Sequence, residues 1–137
     1  MLQAFEWYVP DDHKHWQRLH DAIPSLKATG IDNIWIPPGC KASSPSGNGY
    51  DVYDLYDLGE FDQKGSKGTK WGTKDELLKL VSKANEVGVG IYWDAGKTNS
   101  LSSPLRNSLR MKPLMYFRKI FNRHFCHHFK VQRSWAT

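Results

Sequence analysis

The sequence predicts an α/β protein in which parallel strands alternate with helices. Three short apolar runs, at residues 2–8, 31–36 and 89–93, have the composition of buried strands. The two longer segments between them carry apolar residues at every third or fourth position, which is typical of helices that pack one face against a sheet. The resulting order, β-α-β-α-β with short right-handed crossovers, indicates a parallel sheet covered by helices.

The first strand and helix are predicted from residues 2–30. The apolar run at 2–8 indicates a buried strand that ends before Pro10. Asp11 and Asp12 supply N-cap chemistry for a helix over residues 13–28. We expect Pro24 to kink or split this helix and Gly30 to close it. The predicted inner face of the helix consists of Trp16, Leu19, Ile23 and Leu26.

Two further strands and a helix follow. Residues 31–36 predict a second strand, which Pro37 and Pro38 end because proline cannot continue a ladder. Thr73 and Glu76 form a capping box at the start of the second helix. A third strand over residues 89–93 ends at Asp94. The apolar stripe of the second helix, up to Gly88, consists of Leu77, Leu80, Val81 and Ala84.

The long segment 37–72 is expected on the functional side, because ligands of parallel α/β sheets lie beyond the carboxyl ends of the strands. Within it, residues 47–61 are rich in aromatic rings and carboxylates. An aromatic ring stacks on the apolar face of a sugar, and carboxylates accept hydrogen bonds from its hydroxyls. The stretch therefore suits carbohydrate. The alternative is a tyrosine-rich strand with solvated aspartates on its outer face. Its three Tyr-Asp pairs are Tyr50-Asp51, Tyr53-Asp54 and Tyr56-Asp57.

Five runs within residues 1 to about 95 carry a resemblance to a known family. They are Leu2-Gln3-Ala4-Phe5-Glu6-Trp7-Tyr8, Trp35-Ile36-Pro37-Pro38, the stretch from Gly49 to Phe61, Gln63-Lys64-Gly65 and Trp71-Gly72-Thr73-Lys74. In order and spacing they resemble the start of the catalytic barrel of the α-amylases, glycoside hydrolase family 13. The resemblance is greatest to the liquefying bacterial and fungal intracellular members, and we expect it to stop after about residue 95.

This resemblance implies a partial (β/α)8 TIM barrel, made of the first three strands and two helices. A complete barrel needs about 200 to 250 residues, whereas the chain has 137. In the family the nucleophile, the acid/base and a third aspartate come from strands four, five and seven, so we expect no catalytic residue here and no activity of the chain alone. Because three parallel strands leave two open edges, we also expect residues 1–95 alone to be marginally stable or aggregation-prone.

The resemblance also assigns substrate-binding residues. Tyr50 matches the tyrosine that stacks on the sugar next to the scissile bond. Trp7 and Gln3, near the end of the first strand, are expected to help shape the same pocket, although core packing is an equal alternative for Trp7. Asp94 matches the aspartate that opens the family's first conserved region and helps organise the active site.

No metal or other cofactor is expected. The family binds calcium through an asparagine in that conserved region, but this chain has Thr98 there, and Asn99 stands where the family has a substrate-binding histidine. The two cysteines, Cys40 and Cys126, are expected to be free thiols. A cluster of possible ligands in the tail lacks the spacing of a helical metal site: His124, Cys126, His127 and His128.

The tail, residues 96–137, differs sharply in charge from the rest. Residues 1–95 carry all 14 acids and 10 Lys and Arg, a net charge of −4, whereas the tail carries no acid and 9 Lys and Arg, a net charge of +9. Residues 99–108 have the composition of a linker or of disorder. Residues 113–137 predict an amphipathic basic helix, in which a phenylalanine recurs every four residues: Phe117, Phe121, Phe125 and Phe129.

Two interpretations of the tail stay open: a helix that binds anionic membrane or RNA, or non-native sequence from a shifted reading frame or retained intron. Three functions follow. The first is an inactive segment of a starch- or glycogen-hydrolysing enzyme, with weak α-glucan binding. The second is a non-catalytic glucan-binding remnant. The third is a tail that binds membrane or nucleic acid, which we expect only if the tail is native. With no signal peptide or long apolar run in the sequence, a cytoplasmic location is expected.

Overall fold

The structure is a computed structural model and describes residues 1–95 and 129–132. Four of the strands form one sheet in the order β1, β2, β5, β6, and β3 pairs with β4 in a small antiparallel ladder. The elements in chain order are β1 (Leu2–Gln3), α1 (His15–Ala28), β2 (Asn33–Ile36), β3 (Lys41–Ala42), β4 (Val52–Asp54), α2 (Lys74–Val87), β5 (Gly90–Asp94) and β6 (Phe129–Gln132).

The main sheet is parallel throughout, and the two helices pack against each other. Ile34 of β2 lies between Leu2 of β1 and Ile91 of β5. A single apolar core joins the inner face of the helices to the buried side of β2 and β5. Its fully buried members include Trp16, Ile23, Ile34, Ile36, Leu77, Leu80, Val81 and Ala84. The predicted alternation of parallel strands and helices is therefore confirmed.

Helix α2 has the start and end that its sequence predicts. The Thr73 side chain accepts a hydrogen bond from the Glu76 N–H, and the Glu76 carboxylate accepts one from the Thr73 N–H, so the capping box is complete. At the other end Gly88 adopts a left-handed conformation with φ of 72°. All four residues of the predicted stripe are buried.

The prediction of a buried strand over residues 2–8 was wrong. Strand β1 contains only Leu2–Gln3, and the ladder closes with the Ala4 N–H donating to the Trp35 carbonyl at 2.8 Å. In the part of the chain that the structure describes, β1 pairs with β2 alone, so no second ladder extends it there. The chain then turns away from the sheet, and the Trp7 and Tyr8 side chains are 58% and 86% exposed.

Helix α1 also differs from the prediction at two points. Lys14, not an aspartate, is the N-cap residue, and no side chain caps it. Asp12 instead accepts hydrogen bonds from the Lys14 N–H at 3.1 Å and the Arg18 guanidinium at 2.6 Å. Pro24 does not split the helix, which continues to Ala28. The Pro24 ring is exposed, so it does not displace the buried Ile23 next to it.

Strand β6 lies next to β5, with Phe129 opposite Ile91 and Gln132 opposite Asp94. These four residues are a strand and not the end of an amphipathic helix, so that prediction is wrong for them. The parallel β-ladder gives a physical reason, because a strand beside β5 supplies hydrogen bonds to an edge that would otherwise be open. The predicted linker and the other three phenylalanines of the tail lie outside the described residues.

Candidate functional site

Three segments from the carboxyl ends of the strands meet at one point. Trp7 follows β1, Tyr50 lies in the loop between β3 and β4, and Asp94 is the last residue of β5. The Trp7 and Tyr50 rings are stacked, with centroids 5.7 Å apart and planes 17° from parallel. The Tyr50 hydroxyl donates a hydrogen bond of 2.8 Å to Oδ2 of Asp94. A tryptophan, a tyrosine and an aspartate from three sequence-distant segments thus form one cluster.

A pocket of about 550 Å³ opens beside this ring pair. It combines two aromatic rings with hydroxyl, amide and carboxylate groups, the mixture that binds a ligand with both apolar faces and hydroxyls. Its lining consists of Trp7, Ser44, Ser46, Gly47, Asn48, Tyr50 and Asp51.

The predicted site residues divide in two. Trp7 and Tyr50 line the pocket, and Asp94 is buried behind Tyr50. Gln3 is not part of this lining, and its side-chain amide donates to the Phe5 carbonyl at 2.9 Å. Since β1 ends at Gln3 and the chain then turns away, the pocket is reached four residues later, at Trp7. The expectation that Gln3 helps to shape the substrate pocket therefore stays a prediction, with no contact of Gln3 in this lining to support it.

Gly49 determines how Tyr50 enters the pocket. Its φ of +89° lies in the left-handed region of backbone conformation, which residues other than glycine rarely adopt. A Cβ atom at this position would lie only 2.4 Å from the Pro38 carbonyl oxygen. The loop can therefore pass close to the Pro38 backbone only because residue 49 is glycine.

Burial raises the pKa of Tyr50 well above its usual value, and the hydrogen bond to the Asp94 carboxylate raises it further. The phenol is therefore neutral across the physiological pH range and remains a hydrogen-bond donor. This donor is directed at Asp94 and not at the pocket, so what Tyr50 offers a ligand is its ring face.

Side chains that the sequence analysis missed hold Trp7 in place. Asn48 donates from Nδ2 to the Trp7 carbonyl at 3.2 Å. The Lys70 ammonium donates to Oδ1 of Asn48 at 2.7 Å and to the Trp7 carbonyl at 3.5 Å. Asn48 and Lys70 lie 41 and 63 residues from Trp7 in the chain. No local pattern indicates such contacts, because they depend on how distant loops meet.

The three Tyr-Asp pairs differ in their position relative to the pocket and in their exposure. Only Tyr50 and Asp51 line the pocket, whereas the Tyr53 and Tyr56 side chains are 50% and 63% exposed elsewhere on the surface. Asp57 is fully buried. The alternative of a tyrosine-rich strand is also incomplete, because strand β4 includes only residues 52–54 of the stretch.

Asp57 belongs to a buried ion pair that supports this loop. Its Oδ1 accepts hydrogen bonds from the N–H groups of Gly59, Glu60 and Phe61, and its Oδ2 lies 3.5 Å from the Lys41 ammonium. Burial by itself would raise the pKa of Asp57, but these three hydrogen bonds and the Lys41 charge lower it. The carboxylate is therefore ionised within the fold.

Lys41 connects this ion pair to the next loop. Its ammonium donates to the carbonyls of Ser66, Lys67 and Gly68, at 2.7, 2.7 and 3.2 Å. Since Lys70 follows two residues after Gly68, the same pair fixes the loop from which Lys70 reaches Trp7 and Asn48.

The described residues contain no group of three or more His, Cys, Asp and Glu side chains arranged to bind a metal ion. Thr98, Asn99 and the tail histidines and cysteine that entered the metal predictions lie outside them. Among residues 1–95 and 129–132, no helix is long and apolar enough to cross a membrane. The free Cys40 is buried, and burial raises the pKa of its thiol to about 12.

Comparison with curated proteins decides the family, although no family model matches the chain. Over 94 residues the chain is 48% identical to glucan 1,4-α-maltohexaosidase of Bacillus sp. (strain 707) and 46% identical to α-amylase of Bacillus licheniformis. It is 35% identical over 113 residues to the cytoplasmic α-amylase of Escherichia coli (strain K12). The chain carries a segment of the α-amylase family. This segment covers 69% of the chain in the two Bacillus comparisons and 82% in the third.

The α-amylase-family segment corresponds to a minor part of these relatives. It spans 18% of the length of each of the two Bacillus proteins and 23% of the Escherichia coli protein. The crystal structure of truncated alternansucrase from Leuconostoc mesenteroides NRRL B-1355 has a similar fold, with a TM-score of 0.51 and 21% identity over 60% of this chain and 8% of that chain.

The 94 residues of the Bacillus matches agree with the predicted extent of the resemblance. The 113 residues of the Escherichia coli match exceed it, because they cannot all lie within residues 1–95.

Proposed function

We propose that the α-amylase-family segment binds α-glucan chains on the stacked rings of Trp7 and Tyr50, as one part of the substrate-binding surface of a partial (β/α)8 barrel. The observation that carries this proposal is the ring pair itself, which presents Trp7 at 58% exposure beside a pocket of about 550 Å³. The name of one relative specifies a 1,4-α-glucan.

The chemistry of the pocket suits a glucose unit. The C–H groups on one face of the sugar pack on an aromatic ring, and the hydroxyls at the rim need both donors and acceptors. Asn48 and Asp51 line the pocket next to the rings and supply these groups. Because the contact is limited to two rings and a few polar groups, we expect weak binding, with a Kd of about 1 mM.

We also propose that this chain does not hydrolyse glucan by itself. Hydrolysis with retention requires two carboxyl groups about 5 to 5.5 Å apart on either side of the scissile bond. Asp51 is the single carboxylate in the described lining of the pocket. Incubation of the purified chain with soluble starch should release no reducing sugar above a blank, and measurable release would contradict this part of the proposal.

Isothermal titration calorimetry with maltoheptaose tests the binding. The wild-type chain should release heat that Tyr50→Ala and Trp7→Ala each lose. Tyr53→Ala is the matched control, because it removes the same kind of ring from the neighbouring strand β4, at a position outside the pocket. Equal heats for wild type and Tyr50→Ala would contradict the proposal, as would an equal loss of heat with Tyr53→Ala.

We further propose a cytoplasmic location, which the name of the Escherichia coli relative states for that protein. Immunodetection of the chain in fractionated cells tests this, and its recovery in the medium would contradict it.

A further inference from the structure

We infer that Lys70 is a positioning residue for the ring pair: its buried ammonium group fixes the backbone that carries Trp7 and thereby sets the distance and tilt of Trp7 on Tyr50. This inference rests on the glucan-binding function proposed above. It assigns to Lys70 a role that neither the sequence motifs nor the proposed contacts with sugar include.

Lys70 is hydrogen-bonded to two residues of the pocket, Asn48 and Trp7, which are also hydrogen-bonded to each other. Its ammonium donates to Oδ1 of Asn48 at 2.7 Å and to the Trp7 carbonyl at 3.5 Å, and Asn48 in turn donates to the same carbonyl at 3.2 Å. The Lys70 side chain itself is only 7% exposed and is not part of the pocket lining. Lys70 therefore acts on a ligand through Trp7 and Asn48 and not by contact.

Trp7 needs such an anchor because it lies beyond the end of β1. The ladder closes at Ala4, and the turn that follows has local hydrogen bonds, from the Gln3 amide to the Phe5 carbonyl at 2.9 Å and from the Tyr8 N–H to the Glu6 carboxylate at 2.7 Å. Within the described residues, the hydrogen bonds to the Trp7 carbonyl both come from side chains, those of Asn48 and Lys70. The direction of the exposed Trp7 ring thus depends on these two donors.

The charge of Lys70 also favours a role in positioning. Among the described residues no carboxylate pairs with it, and its partners are neutral oxygens and the face of Trp71, whose ring centroid lies 5.2 Å from Nζ. Burying an ammonium with neutral partners costs desolvation energy that an apolar side chain of similar length would not cost. The lysine therefore contributes directed hydrogen bonds more than it contributes net stability.

The experiment uses the full chain and compares Lys70→Met, which keeps the length of the side chain, with Lys70→Arg, which keeps a cation that can donate to both oxygens. Lys83→Met is the matched control, since Lys83 pairs with Glu86 on the surface of α2 at 3.0 Å, away from the pocket. Three quantities are measured: the Kd for maltoheptaose, the acrylamide quenching of Trp7 fluorescence, and the far-UV circular dichroism. The Trp7 signal of each chain is isolated by subtracting the spectrum of the same chain with the additional substitution Trp7→Phe.

We expect Lys70→Met to weaken maltoheptaose binding about tenfold and to change the quenching of Trp7, with the circular dichroism unchanged. Lys70→Arg should restore the Kd to within about threefold of wild type, and Lys83→Met should match wild type. A Lys70→Met chain with wild-type Kd and wild-type Trp7 quenching would overturn the inference.

Two other outcomes are also decisive. If Lys70→Met loses its circular dichroism signal, Lys70→Gln replaces it, and unfolding of both variants would mean that Lys70 supports the whole fold and that the inference is wrong. If the wild-type chain binds no maltoheptaose, the proposed function fails, yet a change in Trp7 quenching in Lys70→Met would still support the positioning role. The two failures are therefore distinguishable.

Discussion

The hydroxyl of Tyr50 donates a hydrogen bond of 2.8 Å to the carboxylate of Asp94, which lies 44 residues further along the chain. This bond joins the loop between β3 and β4 to the end of β5, a core strand. It holds the Tyr50 ring with its face toward Trp7. Because the acceptor is a buried carboxylate, the bond is of the stronger, charge-assisted kind.

Replacing Tyr50 by phenylalanine tests the value of this bond. The ring stays, but the donor is lost, so the free energy of unfolding should fall by about 1 to 3 kcal/mol. Urea unfolding followed by circular dichroism measures the change. Tyr53→Phe removes the same atom from a half-exposed ring and should change the stability by less than about 0.5 kcal/mol. Equal effects of the two substitutions would show that the bond to Asp94 contributes nothing specific.

Tyr50 should also make the fold sensitive to high pH. Its pKa is raised in the folded chain from an ordinary value of 10.0, so at pH above about 10 the unfolded chain has lost a proton that the folded chain still binds. The contribution of Tyr50 to the free energy of unfolding is therefore complete below pH 10. It decreases as the pH rises toward the pKa of Tyr50 in the folded chain. Urea unfolding from pH 8 to 11 should show a steeper decline for wild type than for Tyr50→Phe, and parallel declines would argue against the raised pKa.

The two helices and the strands β2 and β5 could be predicted because their signals are local, whereas β3, β4 and β6 were not predicted. The capping box of Thr73 and Glu76, the stripe of α2 and the turn at Gly88 each depend on residues within a few positions of one another. Strand β1 was predicted too long for a related reason. An apolar run indicates burial, but it cannot show where an edge strand stops pairing with its neighbour. In the structure the chain leaves the sheet after Ala4, and Trp7 is exposed.

The site could be predicted in part. The family motif indicated Tyr50, Trp7 and Asp94, which the structure brings together, but it also indicated Gln3, which lies outside the pocket lining. Asn48 and Lys70 could not be found, since their contacts with Trp7 depend on the relative placement of three loops. Repeated Tyr-Asp pairs likewise could not show which pair faces the pocket, because the spacing of three residues corresponds to no single face of a strand.

His15 should make the fold sensitive to low pH. The ring is 6% exposed against Trp16 and Trp71, and its Nε2 lies 2.9 Å from the Ala4 carbonyl. Burial lowers the pKa of His15 below its ordinary value of 6.5, although the hydrogen bond to Ala4 opposes this. At a pH just below 6.5 the unfolded chain therefore binds a proton on His15 that the folded chain does not. The contribution of His15 to the free energy of unfolding is complete above pH 6.5 and decreases as the pH falls below it.

The measurement for His15 is urea unfolding between pH 5 and 8. His15→Gln should be less stable than wild type at pH 8 because it loses packing, but its stability should depend less on pH below about 6.5. A His15→Gln chain with the wild-type slope would assign the acid sensitivity to other groups.

The buried pair of Lys41 and Asp57 should be the most costly polar contact to break. Their side chains are 2% and 0% exposed, and together they bind the loop over residues 59–68 through six backbone groups. Lys41→Met leaves a carboxylate buried without its cation, and Asp57→Asn leaves an ammonium buried without its anion. We expect each substitution to lower the free energy of unfolding by about 3 to 5 kcal/mol.

The double variant Lys41→Met/Asp57→Asn distinguishes the ion pair from the backbone contacts. Because it leaves neither charge unpaired, its loss of stability should be smaller than the sum of the two single losses by about 1 to 3 kcal/mol. Urea unfolding of the four chains measures this difference. The exposed pair of Lys27 and Asp32, whose charged ends lie 2.8 Å apart, provides the control cycle and should give a smaller coupling, because solvent screens both charges. Strict additivity at Lys41 and Asp57 would mean that the carbonyl and N–H contacts, and not the charges, stabilise this loop.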